Sequence, residues 1–174
     1  MRIEIRPLRL EDERSSFSSG DIELDRFFRN YAGLNQFRLH LGTTYVAVGD
    51  GTVVGYATVA PGSIAISQLP RPERRRLPAY PLPILRLARL AVATTHQGRG
   101  IGSRLVRFSL ELAREMAERF GCIGVVVDAK PAAVAFYVRL GFAGLVVEAG
   151  ELPSRPRPQV LFLPIGSIPP RRCS

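Results

Sequence analysis

The sequence predicts one α/β domain. Three observations carry that expectation. The chain has 174 residues and is 46% hydrophobic, enough for one proper core. From residue 84 onward, strand-like runs alternate with helix-like ones, the pattern of a sheet with parallel neighbours. Between the first of those strands and the longest helix lies a glycine-rich turn, Gly98 to Gly102.

The elements follow in order. Met1 to Arg6 alternates apolar and charged side chains, a strand pattern and not the apolar core of a signal peptide, and Ile3 to Leu8 reads as the first strand. Ser19 or Asp21 can cap a helix, and Leu24, Phe27, Phe28, Tyr31 and Ala32 give it an apolar stripe. Thr44 to Val48 and Thr52 to Ala60 form a hairpin about Gly49-Asp50-Gly51. Pro61 to Pro83, rich in proline and arginine, reads as a long loop with room for a short helix near Ser67.

Ile84 to Val92 is a strand. The long helix after the glycine turn runs to about Phe120, with Ile101, Leu105, Phe108, Leu112, Met116 and Phe120 expected inward. Ile123 to Asp128 is a buried-type strand, and Pro131 opens a helix to Leu140 that Gly141 stops. Strands near Ala143 to Val147 and Gln159 to Leu163 close a domain spanning residues 1–168, with a tail at 169–174.

Composition narrows the function. No segment reads as a membrane span: Arg139 and Gly141 interrupt the most apolar window, so a cytoplasmic protein is expected. Cys122 opens an apolar run and reads as a core residue. Cys173 falls on the tail, and no Cys or His stands at ligand spacing, so neither a disulfide nor a metal is expected. The formal charge is +9, and Lys130 is the only lysine. That arginine excess fits either genome base composition or an anionic partner, nucleic acid or a phosphorylated cofactor.

The chemistry concentrates in Gln97-Gly98-Arg99-Gly100-Ile101-Gly102, with Ser103 next. Glycines let a ligand approach the backbone, and the first amides of a helix lack internal partners. Together they suit a pyrophosphate. Ser103-Arg104 after Gly102 excludes a Walker loop. A dinucleotide fingerprint fails because its third small position is Ser103 or Leu105. A tight turn with no ligand is the remaining alternative.

This Gln-x-x-Gly-x-Gly pattern, with Leu90-Ala91-Val92 before it and Ala135-Phe136-Tyr137 and Gly141-Phe142 after it, resembles the GNAT acetyltransferase superfamily. More closely, the chain is similar to the toxin acetyltransferases of toxin–antitoxin pairs. The shared features are Phe17 to Gly20, Leu24 to Phe27, Asn35-Gln36, Pro83 with Leu87 and Arg89 to Val92, and Val127 to Lys130. Phe27-Phe28 stands where that branch often has a tryptophan.

The resemblance implies a GNAT fold: a mixed, mostly antiparallel sheet flanked by helices, with splayed parallel strands at a cofactor cleft. It implies acetyl-CoA as donor, the backbone of Leu90, Ala91 and Val92 along the pantetheine arm, and Gln97 through Ser103 at the pyrophosphate. Tyr137 takes the place of the family's general acid; packing beside Phe136 is the other reading. Arg89, inside an apolar strand, is either in a structural ion pair or facing the acceptor. Arg74, Arg75 and Arg76 are candidates for substrate phosphates.

No clear general base is visible, although Asp128 or a water-linked carboxylate could serve for amines other than an aminoacyl ester. An α-amine titrates near about 7.7–8.0 and a lysine near about 10.4, which leans the acceptor toward aminoacyl-tRNA. The branch also implies a homodimer and a small ribbon-helix-helix antitoxin. Acetylation of a small amine or a protein N-terminus, or a non-catalytic acyl-CoA or RNA-binding module, are the alternatives.

Overall fold

A computed structural model describes residues 1–145 and 159–169. Seven strands are hydrogen-bonded in the order β1-β2-β3-β4-β5-β7-β6: β1 is Ile3–Pro7, β2 Thr43–Gly49, β3 Thr52–Ile64, β4 Leu82–Val92, β5 Gly124–Ala129, β6 Ala143–Gly144 and β7 Gln159–Pro164. The helices are α1 (Ile22–Asn30), α2 (Ala32–Phe37), α3 (Arg71–Arg74), α4 (Ile101–Arg119) and α5 (Val134–Arg139). Contacts gather the chain into two units, Met1–Ala60 with Leu87–Ser109, and Pro61–Arg86 with the chain from Leu110 on. Strands β3 and β4 and helix α4 each contribute residues to both.

The first unit carries an antiparallel β1–β2–β3 meander, with Ile3 opposite Gly49 and Tyr45 opposite Ala57. Asp50 and Gly51 close the hairpin, both at positive φ (50° and 75°). An Asp-Gly pair tolerates that conformation, which matches the strand twist. Asp21 caps α1 by accepting from the amides of Glu23 and Leu24. The expected helix breaks at Tyr31, which ends α1 and begins α2. Gln36 then clips α2 to the sheet, accepting from Thr44 N at 2.8 Å and donating to Leu8 O at 3.3 Å.

The core of this unit gathers Leu8, Phe17, Phe27, Phe28, Val46, Tyr56 and Ala91. Tyr56 stacks on Phe28 at 4.4 Å and 9°, and its hydroxyl donates to Leu24 O. Gly55 matters for the site. A Cβ there would sit 3.1 Å from Ala91 O and 3.2–3.3 Å from Leu105 and Ile101, so even an alanine would press on the first turns of α4, which lie close to the sheet here.

The second unit pairs β5 with β7 antiparallel, Val127 opposite Leu161, and β7 with β6. Its core gathers Ile64, Leu69, Leu82, Ile84, Val126, Leu145 and Phe162. The region expected as a loop with a short helix near Ser67 has that helix, as a 3-10 turn, and two further pieces of regular structure. Strand β3 runs on to Ile64, a 3-10 turn covers Ile66–Gln68, and α3 follows. Pro61 and Ser63 face out while Ile64 is buried, so the strand continues where β2 no longer pairs with it.

Two further expectations change. Phe120 is 74% exposed, because α4 ends at Arg119 and the residues beyond it turn away from the buried face. The strand near Ala143 to Val147 is described only as Ala143–Gly144, and residues 146 and 147 lie outside the described residues. Cys122 is buried as expected, while Cys173 and the tail from residue 170 also fall outside. No described helix is long and apolar enough to cross a membrane.

Candidate active site

In the first unit, β4 leads through a 3-10 turn (Thr94–His96) into Gln97 and the glycine turn. Gly98 and Gly100 stand at φ of 75° and 78°, a left-handed conformation that costs glycine nothing. A Cβ built on either would meet no heavy atom within 4 Å. Internal packing therefore does not require these glycines. They keep the outer face of the turn open and set the direction of its amides.

The first hydrogen bond closing α4 runs from Arg104 N to Gly100 O, so the amides before it have no helical partner. Arg99 is exposed beside them, and Arg104 anchors the helix by donating to Ile3 O at 2.9 Å. Such a turn, with one exposed cation beside it, has the chemistry to hold an anion.

Gln97 acts on the backbone. Its Nε2 donates to Val92 O at 2.9 Å and to Ser19 O at 2.8 Å, tying the end of β4 to the segment before α1. Leu90 and Val92 are half-buried and Ala91 is buried in the aromatic core, so the strand the turn hangs from is well fixed. Gln97→Ala should lose about 1–2 kcal/mol, two exposed hydrogen bonds, in a urea titration. It should also weaken acetyl-CoA binding severalfold. An unchanged midpoint together with unchanged affinity would show that the clamp is idle.

Arg89 is half-buried, and its guanidinium carbon lies 3.8 Å above the ring of Phe27. Among the described residues it has no carboxylate partner, so of its two expected settings the ion pair is not the one found. An aromatic face holds it instead. Burial pushes the Tyr56 phenol above its ordinary range, and the nearby Arg89 charge opposes that shift. Phe27, read from sequence as a helix-core position and as part of the family-like aromatic segment, is thus also the platform for a cation with no carboxylate partner among the described residues.

The second unit holds the remaining candidates. Tyr137, on α5, is 5% exposed and packs edge-on against Phe136 (5.0 Å) and Phe142 (5.5 Å). Its hydroxyl has no hydrogen-bond partner among the described residues. Burial raises its pKa above that of an ordinary phenol, so it stays protonated at any physiological pH. Arg74 donates to Leu69 O at 2.5 Å and Ser67 O at 2.8 Å, clasping the segment before α3, whereas Arg75 and Arg76 are exposed. Asp128 is the one exposed residue of β5 and accepts from Arg86 Nη1 at 2.9 Å. Sequence reading passed over Arg86, although an arginine in an apolar strand was the signal that singled out Arg89. Among the described residues no cluster of His, Cys, Asp or Glu could hold a metal.

Comparison with known proteins gives a consistent result. The family model described as the acetyltransferase (GNAT) family matches residues 3–142. A tRNA-acetylating toxin of Mycobacterium tuberculosis is 38% identical over 132 residues, 75% of this chain and 78% of the relative. Among solved structures, AtaT complexed with acetyl-methionyl-tRNAfMet superposes with a TM-score of 0.84 at 25% identity, covering 96% of this chain and 97% of that one. A mutant AtaT toxin bound to the C-terminus of its antitoxin AtaR and to acetyl-CoA gives 0.75 at 25% identity, covering 95% of each chain.

Proposed function

The chain belongs to the GNAT acetyltransferase family, and we propose that it transfers the acetyl group of acetyl-CoA to the α-amine of aminoacyl-tRNA, acting as a translation-blocking toxin. The observation that carries this reading is the likeness to a tRNA-acetylating toxin over three-quarters of the chain.

The residues fit the donor. The turn at Gly98 to Gly102, with Ser103, leaves open the space that added Cβ atoms at Gly98 and Gly100 would fill, and its amides and Arg99 suit a pyrophosphate. The backbone of Leu90 to Val92 lines the pantetheine arm, with Gln97 as the clamp that fixes its end. Tyr137 donates a proton to the departing sulfur as the amine attacks the thioester carbon. Arg89, stacked on Phe27 with no carboxylate partner among the described residues, meets an anionic part of the acceptor. A homodimer in the cytoplasm, held in check by a small ribbon-helix-helix antitoxin, completes the proposal; the AtaT structure bound to the C-terminus of AtaR supports the antitoxin alone.

The deciding experiment is transfer of radiolabelled acetyl from acetyl-CoA to a pool of charged tRNAs. Labelled aminoacyl-tRNA supports the reading. Efficient labelling of polyamines or protein N-termini, with charged tRNA ignored at low salt, replaces it with the small-amine or N-terminal reading. No transfer to any amine, with acyl-CoA or RNA still bound, would leave a binding module.

The arginine-rich segment gives a sharper test. Because Arg74 is committed to two carbonyls, the pair to neutralise is Arg75 and Arg76. The double change to glutamine should raise KM for charged tRNA severalfold and flatten its salt dependence, each lost phosphate contact reducing the log–log slope by about one. Acetyl-CoA affinity should not move. An unchanged KM and slope would remove these two residues from the acceptor surface.

A further inference from the structure

We propose that Asp128 takes the proton from the attacking amine and that Arg86 is the residue that positions it. The proposal rests on the acetyl transfer that family membership gives, and not on which amine is the acceptor.

Three observations carry it. Strand β5 reads Gly124-Val125-Val126-Val127-Asp128-Ala129, and every residue but Asp128 is buried. A strand packed on both faces has no structural use for a carboxylate at its fifth position, and its side chain is 44% exposed rather than sealed in a core ion pair. Asp128 also lies toward the carboxyl end of its strand, where ligands of open α/β sheets bind. Finally, the carboxylate is held but not used up. Arg86 Nη1 donates to Oδ2 at 2.9 Å, and among the described residues Oδ1 has no hydrogen-bond partner.

Arg86 is itself placed by the fold. It leaves an otherwise apolar strand, and a Cβ on Gly62 of β3 would lie 4.0 Å from its Nε, so the guanidinium runs alongside a strand that has no side chain there. A partly exposed ion pair of this kind adds about 0–1 kcal/mol to stability, too little to account for placing two charges among buried strands. Its value is orientation: Arg86 fixes the plane of the carboxylate and turns the second oxygen outward.

The chemistry balances. The nitrogen lone pair of a neutral amine forms the new C–N bond to the thioester carbon, and the tetrahedral adduct carries a positive nitrogen. One N–H proton passes to Asp128 Oδ1. The C–S bond then breaks, its electron pair leaving on sulfur, which takes a proton from the general acid. The products are the amide and the free thiol. Asp128 returns its proton to solvent, and the general acid regains one from solvent.

The test measures steady-state acetyl transfer by the full chain to charged tRNA, to polyamines and to peptide N-termini. The wild-type panel decides the acceptor, and the variants are then read on whichever acceptor it labels. Asp128→Ala should lower kcat about tenfold or more, with acetyl-CoA affinity and thermal midpoint unchanged. Added formate, a diffusible carboxylate, should restore a measurable part of the loss relative to chloride at equal ionic strength. Asp128→Asn keeps the shape and the hydrogen bond to Arg86 but cannot take a proton, and it should match the alanine variant. Arg86→Gln should lower kcat less and gain nothing from formate, because its carboxylate remains. A wild-type kcat in Asp128→Asn, or a loss in both Asp128 variants that formate does not touch, would overturn the assignment and leave the pair as a surface ion pair.

Discussion

Gly100→Val is expected to abolish measurable acetyl-CoA binding while the protein still folds. The residue stands at φ of 78°, and a Cβ there meets nothing within 4 Å. The substitution therefore creates no clash inside the protein. Its cost is backbone strain, about 1–2 kcal/mol for an L-residue held left-handed. That is a modest share of the roughly 5–15 kcal/mol a domain of this size has. The consequence for an anion is larger. The isopropyl group fills the space above the turn, and any relief of strain rotates the amides on either side. Calorimetry should show affinity lowered by at least about 10²-fold, with Gly100→Ala in between. Unchanged affinity in the valine variant would remove the pyrophosphate from this turn.

The reason this position stood out in the sequence is local, and the same holds for much of the fold. The Asp50-Gly51 hairpin, the Asp21 cap, the long α4 and the apolar run of β5 are all written in short stretches whose backbone preferences agree with the final structure. What local reading missed depends on distance or on competition. Six prolines between residues 61 and 83 masked the extension of β3 and the short α3, because the burial of Ile64 and Leu69 outweighs the weak local signal. Tyr31 fits the apolar stripe of one long helix, yet the chain changes direction there so that α2 can reach Thr44 through Gln36.

The candidate site side chains divide in the same way. The glycine turn and Tyr137 are legible as motifs. The stack of Arg89 on Phe27 joins residues 62 apart in the chain, and the Arg86–Asp128 pair is 42 apart. No spacing rule reaches such pairs. Gln97 is a mixed case. Its position in the motif marks it, but its work as a clamp on Val92 and Ser19 is visible only once both carbonyls are in place.

Tyr137→Phe should separate chemistry from binding more cleanly than any other single change. The hydroxyl makes no hydrogen bond among the described residues, so its removal leaves no polar partner stranded. The ring contacts with Phe136 and Phe142 are kept. The thermal midpoint should therefore move by less than roughly 2 °C and acetyl-CoA affinity should stay near that of the wild type. Turnover should fall about 10²-fold or more, the scale of a lost general acid, because the thiolate must then leave unprotonated. The pH dependence carries a second check. Burial raises this phenol above its ordinary value near 10, so its proton is present throughout the physiological range and is lost only above that value. Wild-type turnover should accordingly show no alkaline loss that Tyr137→Phe removes below about pH 10. Expression without an antitoxin should slow growth, and the phenylalanine variant should relieve it. Normal turnover in that variant would mean that another group protonates the sulfur, and Tyr137 would revert to a packing aromatic between its two neighbours.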